Sequence, residues 1–568
     1  MAQTQLITGA LMDEEGLLQT ERPAVEEVCR RFYTELFGSK VHVERIPRNA
    51  TAEEDAMPDP VTVGEIEEAL MRFKNEKAPG PDGITAEMLK AGGEPLWEQL
   101  AKFFTACMRK KRIPVKWKES RTVLLYKKGD PNDVKNYRPI CLLPVIYKLF
   151  TKIIVNRITE QLDAAQPPEQ AGFRKGFCTL DHMQAVNQVQ ERAREKDMKL
   201  YLVFVDYEKA FDSVEINAVL NALVSQGVSN HYVDILEDVY DGCTTEIKLF
   251  EQPITIPIGR GVRQGDTISP KLFTAALEEV FKTLDWNGRR ACGITMEGQR
   301  LTHLRFADDI VLIGTSKKDV EQRLEELNRA SEAVGLRINR SKTKWMSYSK
   351  TGERIKLDGE EIERVDKYVY LGQELSEDHQ QGLRGEISRR IKAAWCSFNS
   401  IGDVLRKLTD TVRRAQLFNS TIIPAMLYGC ETWTMTESLA KRLRSTQRAM
   451  ERRVLGVSMW ECRLHEGIRR ETQFLDAVKE AEKRKLSWAG HVARREDDRW
   501  TTRTTRWKPQ KKAPPNWGRP TRWEELMTKR IGQNWWEHAQ DRNQYRVQCT
   551  APPSPHRFTV RRRSRRID

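Results

Sequence analysis

Apolar side chains recur along this chain at two spacings, and each change from one to the other marks an element. Between Val63 and Lys74, Ile66, Leu70 and Phe73 fall three or four apart, which predicts a helix running up to the loop KAPGPDG, with Ile84 opening another beyond it. The pattern then predicts a helix through Trp97 to Met108, a strand at Thr122 to Tyr126 and a helix from Val145 to Leu162 behind Pro144. YLVFVD, Tyr201 to Asp206, is an unbroken run of β-formers and reads as a buried strand ending at an acidic residue. A helix is expected after Ser213. EIKLF and ITIPI, parted by Glu251, Gln252 and Pro253, form one predicted hairpin, and HLRFADDIVLIG forms another that turns at Ala307 and Asp308. Ser316 and Asp319 predict a capping box for a helix over Lys317 to Val334, with Val320, Leu324, Leu327 and Val334 on one face and a stop at Gly335. The first sixty residues are mixed and predict no clear element.

Two shifts in composition add boundaries. From about Glu377 the sequence becomes Arg-rich and helical, and beyond Trp488 it turns to a Trp, Pro and Arg mixture that includes WKPQKKAPPNWGRPTRW. Breaks near residues 375 and 480 follow, giving segments 1–60, 61–375, 376–480 and 481–568, with no internal repeat. A chain of 568 residues divides into at least two domains. With 95 Lys and Arg against 81 Asp and Glu, the net charge of +14 favours a polyanionic partner, nucleic acid first. The longest apolar stretch, Leu142 to Val155, is too short for a bilayer and is interrupted by Lys148 and Lys152, so no membrane partner is expected. MAQTQLITGA has no basic start and no apolar core, which predicts an intracellular protein, nuclear and cytoplasmic; RRRSRR near the end reads as a nuclear address or a basic tail. The ten cysteines are scattered singly, and Cys462, His465 and His491 lack a fourth ligand, so packing is the reading and no structural zinc is expected.

The candidate chemistry is acidic. Asp206 alone would be an ordinary strand-end turn former. Asp308 and Asp309, adjacent in a tight hairpin between apolar strands, repel each other and raise their own pKa unless a cation intervenes. Two Mg²⁺ ions held by oxygen ligands and substrate phosphates are what nucleotidyl transfer requires, and three carboxylates from two strands could hold them. The strand ending at Asp206 must then lie beside the hairpin carrying Asp308.

FVDYEKAFD (204–212), GVRQGDTISP (261–270) and RFADD (305–309) resemble, in order, motifs A, B and C of reverse transcriptases. KAPGPDG, LLYKKGDPNDVKNYRPI, EQAGFRKG, GLRIN with SKTK, and YLG extend the resemblance to non-LTR, LINE-type elements; LYGCETW, LSWAGHVARR and GRPTRW resemble the C-terminal region of the RTE-like clade. The resemblance implies an α/β right-hand polymerase: an antiparallel palm sheet, fingers mainly before Asp206, a helical thumb and connection at 376–480, and a mainly helical basic C-terminal region. It implies RNA-directed DNA synthesis, with RNA template, DNA primer and dNTPs as partners and two Mg²⁺ ions as cofactor, Mn²⁺ able to substitute.

Residue by residue, the resemblance implies that Asp206, Asp308 and Asp309 are catalytic and ligate metal, joined by the backbone carbonyl of Tyr207. Lys128 and Arg138 would clamp the triphosphate, with Lys209 and Ala210 beside it; Phe211 would be the steric gate against a ribose 2′-hydroxyl. Gln264 and Gly265 would support the nascent base pair, Lys342 would protonate departing pyrophosphate, and Tyr370, Leu371 and Gly372 would form the primer grip. The interleaved Trp488, Trp500, Trp507, Trp517, Trp523, Trp535 and Trp536 have two readings, stacking on unpaired bases or core packing. The endonuclease usual in such elements finds no room before residue 60, so target nicking is not expected, and no RNase H, protease or integrase signature is present. The competing readings are a group II intron-type maturase and an inactive retroelement-derived RNA-binding protein.

Overall fold

The run Tyr201–Val205 alternates between two hydrophobic cores, and this puts it at the centre of the molecule. In the computed structural model, which describes residues 9–47, 57–286, 288, 292–348, 352–509 and 521–550, Tyr201, Val203 and Val205 enter one core while Leu202 and Phe204 enter the other. The sheet has five strands, in the order His303–Phe306, Asp309–Gly314, Tyr201–Val205, Lys344–Ser347 and Glu363–Arg364. The first four pair antiparallel, as expected. The last pair is parallel: after Ser347 the chain detours through a small hairpin, Lys356–Leu357 with Glu360–Glu361, and returns in the same direction. Register fixes the chemistry, because Ile310 faces Val205 and the turn at Ala307 and Asp308 therefore stands just past the end of the strand, level with Asp206.

Helices Val145–Ala164, Ile216–Ser225, Ser269–Lys282 and Lys317–Glu332 back one face of this sheet. The last of these stops two residues short of Val334. Ser316 caps it by accepting the Asp319 N–H at 3.2 Å, but the Asp319 carboxylate turns to Arg323 at 2.8 Å, so only half of the expected capping box forms. The other face is covered by helix Thr179–Glu195 and by the hairpin Lys367–Tyr370 with Gln373–Ser376.

A second sheet runs Tyr137–Leu142, Glu119–Tyr126, Cys243–Lys248, Pro253–Ile258. The hairpin predicted from EIKLF and ITIPI, observed as Cys243–Lys248 with Pro253–Ile258, thus joins strands that precede Asp206, through a parallel pairing of Glu119 with Thr244, which the long intervening chain permits. Helix Arg22–Phe37, which the mixed N-terminal sequence did not announce, seals this sheet with Val25, Cys29, Tyr33 and Phe37.

Beyond residue 376, helices His379–Lys407, Thr411–Met426, Glu437–Leu455 and Ala477–Ala493 share their own core of Phe398, Phe418, Leu443 and Met450. Trp488, Trp523 and Trp535 form a further core, and Trp500 and Trp507 pack under the central sheet. These five rings are buried and Trp536 is partly buried against them. That corrects the base-stacking reading for the five: a ring sealed in a core meets a base only if the core opens. Trp517 and RRRSRR lie outside the described residues. Among the described residues no helix is long and apolar enough to cross a membrane.

Candidate active site

The Asp308 turn is held from outside its own hairpin. Ala307 sits at φ +57°, a strained value for a residue with a Cβ, and its N–H donates to Oε1 of Gln170 at 3.1 Å. The same Gln170 oxygen accepts the Gly172 N–H at 2.8 Å, while Ala171 N–H donates to the Arg305 carbonyl at 3.0 Å. Gly172 lies so close that a Cβ on it would stand 2.3 Å from the Ala307 nitrogen. Arg305, itself buried, pairs with Glu278 at 2.6 Å behind the turn. Asp206 is fixed from the other side: its N–H donates to Thr343 Oγ1 at 3.3 Å and its carbonyl accepts from Asn339 at 2.7 Å.

The two aspartates open on one cavity of about 550 Å³. Lys128 and Arg138, from the second sheet and its loop, line the same cavity; Tyr207, Lys209, Ala210, Phe211, Gln264, Gly265 and Lys342 complete it. Eleven of the residues singled out in the sequence thus meet in one space. Asp309 lies outside that lining and keeps an exposed edge. Burial, followed by the neighbouring charge of Asp206, pushes Asp308 above the usual carboxylate range. Asp309 is pushed up to about 6, first by lost hydration and then by the charges of Asp308 and Asp206. Asp206 Oδ2 accepts no hydrogen bond, and its nearest cation is Lys342 Nζ at 3.6 Å.

Phe211 stacks on Phe273 at 4.5 Å and is half-buried, so its ring is held in place where it lines the cavity. Its carbonyl accepts from Val262 at 2.7 Å, tying motif A to motif B. Gln264 donates through Nε2 to both oxygens of Asp212, at 2.9 and 2.8 Å, and its carbonyl accepts from Cys141 of the second sheet at 2.8 Å. Burial pushes Asp212 up to about 7 and brings Lys209 down to about 8. The Lys209 ammonium lies over the Phe32 ring at 4.4 Å and makes no hydrogen bond, so the N-terminal helix reaches the site.

Tyr370, Leu371 and Gly372 turn the hairpin beside the acidic cluster rather than lining the cavity. Phe204 stacks on Tyr368 at 4.0 Å, and the Tyr368 phenol is pushed up to about 12 by burial and then by Asp309 and Asp206. The Gly372 carbonyl accepts from Arg389 and from Arg390 at 2.9 Å, and Tyr428 Oη donates to the Leu371 carbonyl at 3.0 Å, which fixes the hairpin to the helices beyond it.

Sequence reading missed Gln170, Asp212 and Lys127. Lys127 lines the cavity and its charge acts on both Asp308 and Asp309; its only signal was the doublet with Lys128. The acidic cluster suits a divalent cation. Like charges converge there with raised pKa values, and one Asp206 oxygen has no hydrogen-bond partner. Among the described residues no group of three acidic, His or Cys side chains forms a ready cage; an ion that keeps its waters and takes one or two carboxylates plus substrate phosphates needs none.

Strand-end carboxylates and basic side chains that share a nucleotide-sized cavity, at the edge of a mainly antiparallel sheet, define the palm of a right-hand polymerase. The family described as reverse transcriptase (RNA-dependent DNA polymerase) matches residues 126–375. An uncharacterized transposon-derived protein of Caenorhabditis elegans is 40% identical over 250 residues, 42% of this chain and 87% of its own length. A 115 kDa protein in the type-1 retrotransposable element R1DM of Drosophila melanogaster is 28% identical over 429 residues, 70% of this chain but 39% of its own. The structure of apo telomerase from Candida tropicalis is similar over 70% of this chain and 71% of its own, at 12% identity and a TM-score of 0.35. The chain belongs to the reverse transcriptase family, the RNA-directed DNA polymerases, among the members carried by non-LTR retrotransposons. Members of that family use divalent metal ions and act on a nucleic-acid template and primer.

Proposed function

We propose that this chain extends the 3′-hydroxyl of a DNA primer with dNTPs on an RNA template, using two Mg²⁺ ions. The observation that carries the reading is the shared cavity, lined at once by Asp206 and Asp308 and by Lys128 and Arg138. Asp206, Asp308, Asp309 and the Tyr207 carbonyl would hold the ions, which lower the pKa of the attacking hydroxyl and neutralise charge on the leaving pyrophosphate. The forked guanidinium of Arg138 and the ammonium of Lys128 bind triphosphate oxygens, with Lys127 adding charge beside them. Phe211, held against Phe273, presents its ring beneath the sugar, where a 2′-hydroxyl would collide with it. Gln264, oriented by Asp212 and by Cys141, presents motif B to the new base pair. Lys342 would give a proton to pyrophosphate as it leaves, a role supported by its ammonium lying 3.6 Å from Asp206. The turn Tyr370–Gly372 presses the primer end toward the carboxylates, and the helices after His379 form the thumb.

The test is extension of a labelled DNA primer annealed to an RNA template, with purified full chain, dNTPs and Mg²⁺. Template-length product that requires a divalent cation is expected. Absence of product with RNA templates, with either Mg²⁺ or Mn²⁺, would contradict the proposal.

A further inference from the structure

The tryptophans near the end of the chain are mostly buried, but Trp460 is not. It lies in the turn between helices Glu437–Leu455 and His465–Thr472 and is 92% exposed, with Met459 at 76% and Leu464 at 82% beside it. Clustered large apolar side chains left in water mark a surface that meets something. The turn is well defined: Ser458 Oγ accepts the Trp460 N–H at 3.3 Å, Glu461 accepts the Ser458 N–H at 2.6 Å, and Gly456 ends the preceding helix at φ +69°. The indole is therefore presented by a fixed backbone.

The turn carries Glu461, which is taken up by the Ser458 N–H, and the arginines of the neighbouring helices are partly unused. Arg444 is paired with Glu437 and Arg469 with Glu451, but the Arg448 and Arg452 guanidiniums make no ion pair among the described residues. With Arg469 they bear on His465, whose imidazole is lowered below its ordinary value by partial burial and then by these three charges. An apolar protein partner would satisfy the rings and leave these arginines unpaired. A strand with planar bases and phosphates satisfies both.

We infer that Trp460 stacks on an unpaired base and, with Arg448 and Arg452 of the preceding helix whose charges reach His465 in the helix that follows the turn, holds single-stranded RNA on this outer turn of the helical region. RNA is the occupant because, on the RNA-directed reading of the function, on which this inference rests, the DNA product leaves in a hybrid while the uncopied template stays unpaired.

The test uses the full chain and an unstructured RNA 20-mer carrying 5-iodouridine, with anisotropy for affinity and peptide mapping of the photo-cross-link. A cross-link in the peptide containing Trp460 is expected, Trp460→Ala should weaken binding about tenfold, and Trp460→Phe should keep most of it. Arg448→Ala with Arg452→Ala should lower the slope of log Kd against log salt by about 1.4. Unchanged affinity in Trp460→Ala with the cross-link mapping elsewhere would overturn the inference. So would a dimer, seen by sedimentation, that Trp460→Ala dissociates without altering RNA affinity. Extension of a pre-annealed primer by wild type is read in parallel: its loss strikes the polymerase reading, whereas a missing cross-link with extension intact strikes only the stacking site.

Discussion

Asp309 shows how a single carboxyl couples pH, metal and stability. Its folded value of about 6 lies above the ordinary 3.8, so the folded chain holds this proton more tightly than the unfolded one. The sign follows: its contribution favours the fold below about pH 4 and is lost as pH rises through 6, leaving like-charge repulsion in the metal-free protein at neutral pH. Asp309→Asn should therefore stabilise the metal-free chain at pH 8, by about 1 kcal/mol once its solvent screening is allowed for, and have little effect at pH 4, as read by thermal denaturation. Protons compete with the cation for the same oxygens, so extension by the wild type should fall as pH drops through about 6. A flat rate between pH 5 and 8 would count against carboxylates that must ionise to work.

The elements that carry the aspartates are regular, but the loop that aligns them is not. Gly172 touches the Ala307 backbone, and a Cβ there would meet atoms that cannot rotate away. Gly172→Ala should displace the turn and lower kcat about a hundredfold, with hybrid affinity nearly unchanged; single-turnover extension with anisotropy on the same preparation separates the two. Strand Tyr201–Val205 and hairpin 303–314 were legible because both of their faces are apolar, which leaves unbroken runs of β-formers in the sequence. Helix Thr179–Glu195 was not, since its buried face is polar: Asp181, Gln184, Gln188 and Glu191 lie inside, with Asp181 reached by Arg499 and Glu191 by the Trp523 N–H from distant segments. The bracing role of Gln170 was equally hidden, as it depends on a loop meeting a turn 137 residues away. Motif order named most of the residues that line the cavity, but it could not separate Asp309, outside that lining, from Asp308 within it.

At the scale of the whole molecule, the C-terminal region is bound to the central sheet through that same polar helix. Asp181 accepts from Arg495, from Arg499 at 3.4 Å and from Thr501 Oγ1 at 2.9 Å, and Trp523 N–H donates to Glu191 at 2.9 Å. Burial alone would raise Asp181, but the Arg495 guanidinium outweighs it and holds the carboxyl below the ordinary range. Its stabilisation is thus present above about pH 4 and lost as pH falls below it. Asp181→Ala leaves two guanidiniums without their buried partner and should cost about 3–5 kcal/mol, with hydrogen exchange rising together in Thr179–Glu195 and Ala477–Ala493. Unchanged exchange in the second helix would mean the two regions are not coupled. The central claim is that folding places Asp308 beside Asp206 to perform nucleotidyl transfer. Its most direct test is primer extension on RNA by Asp308→Ala against wild type, with hybrid affinity measured on both: extension should fall by about two to three orders of magnitude while Kd stays within about twofold. Equal extension by the two proteins would contradict it.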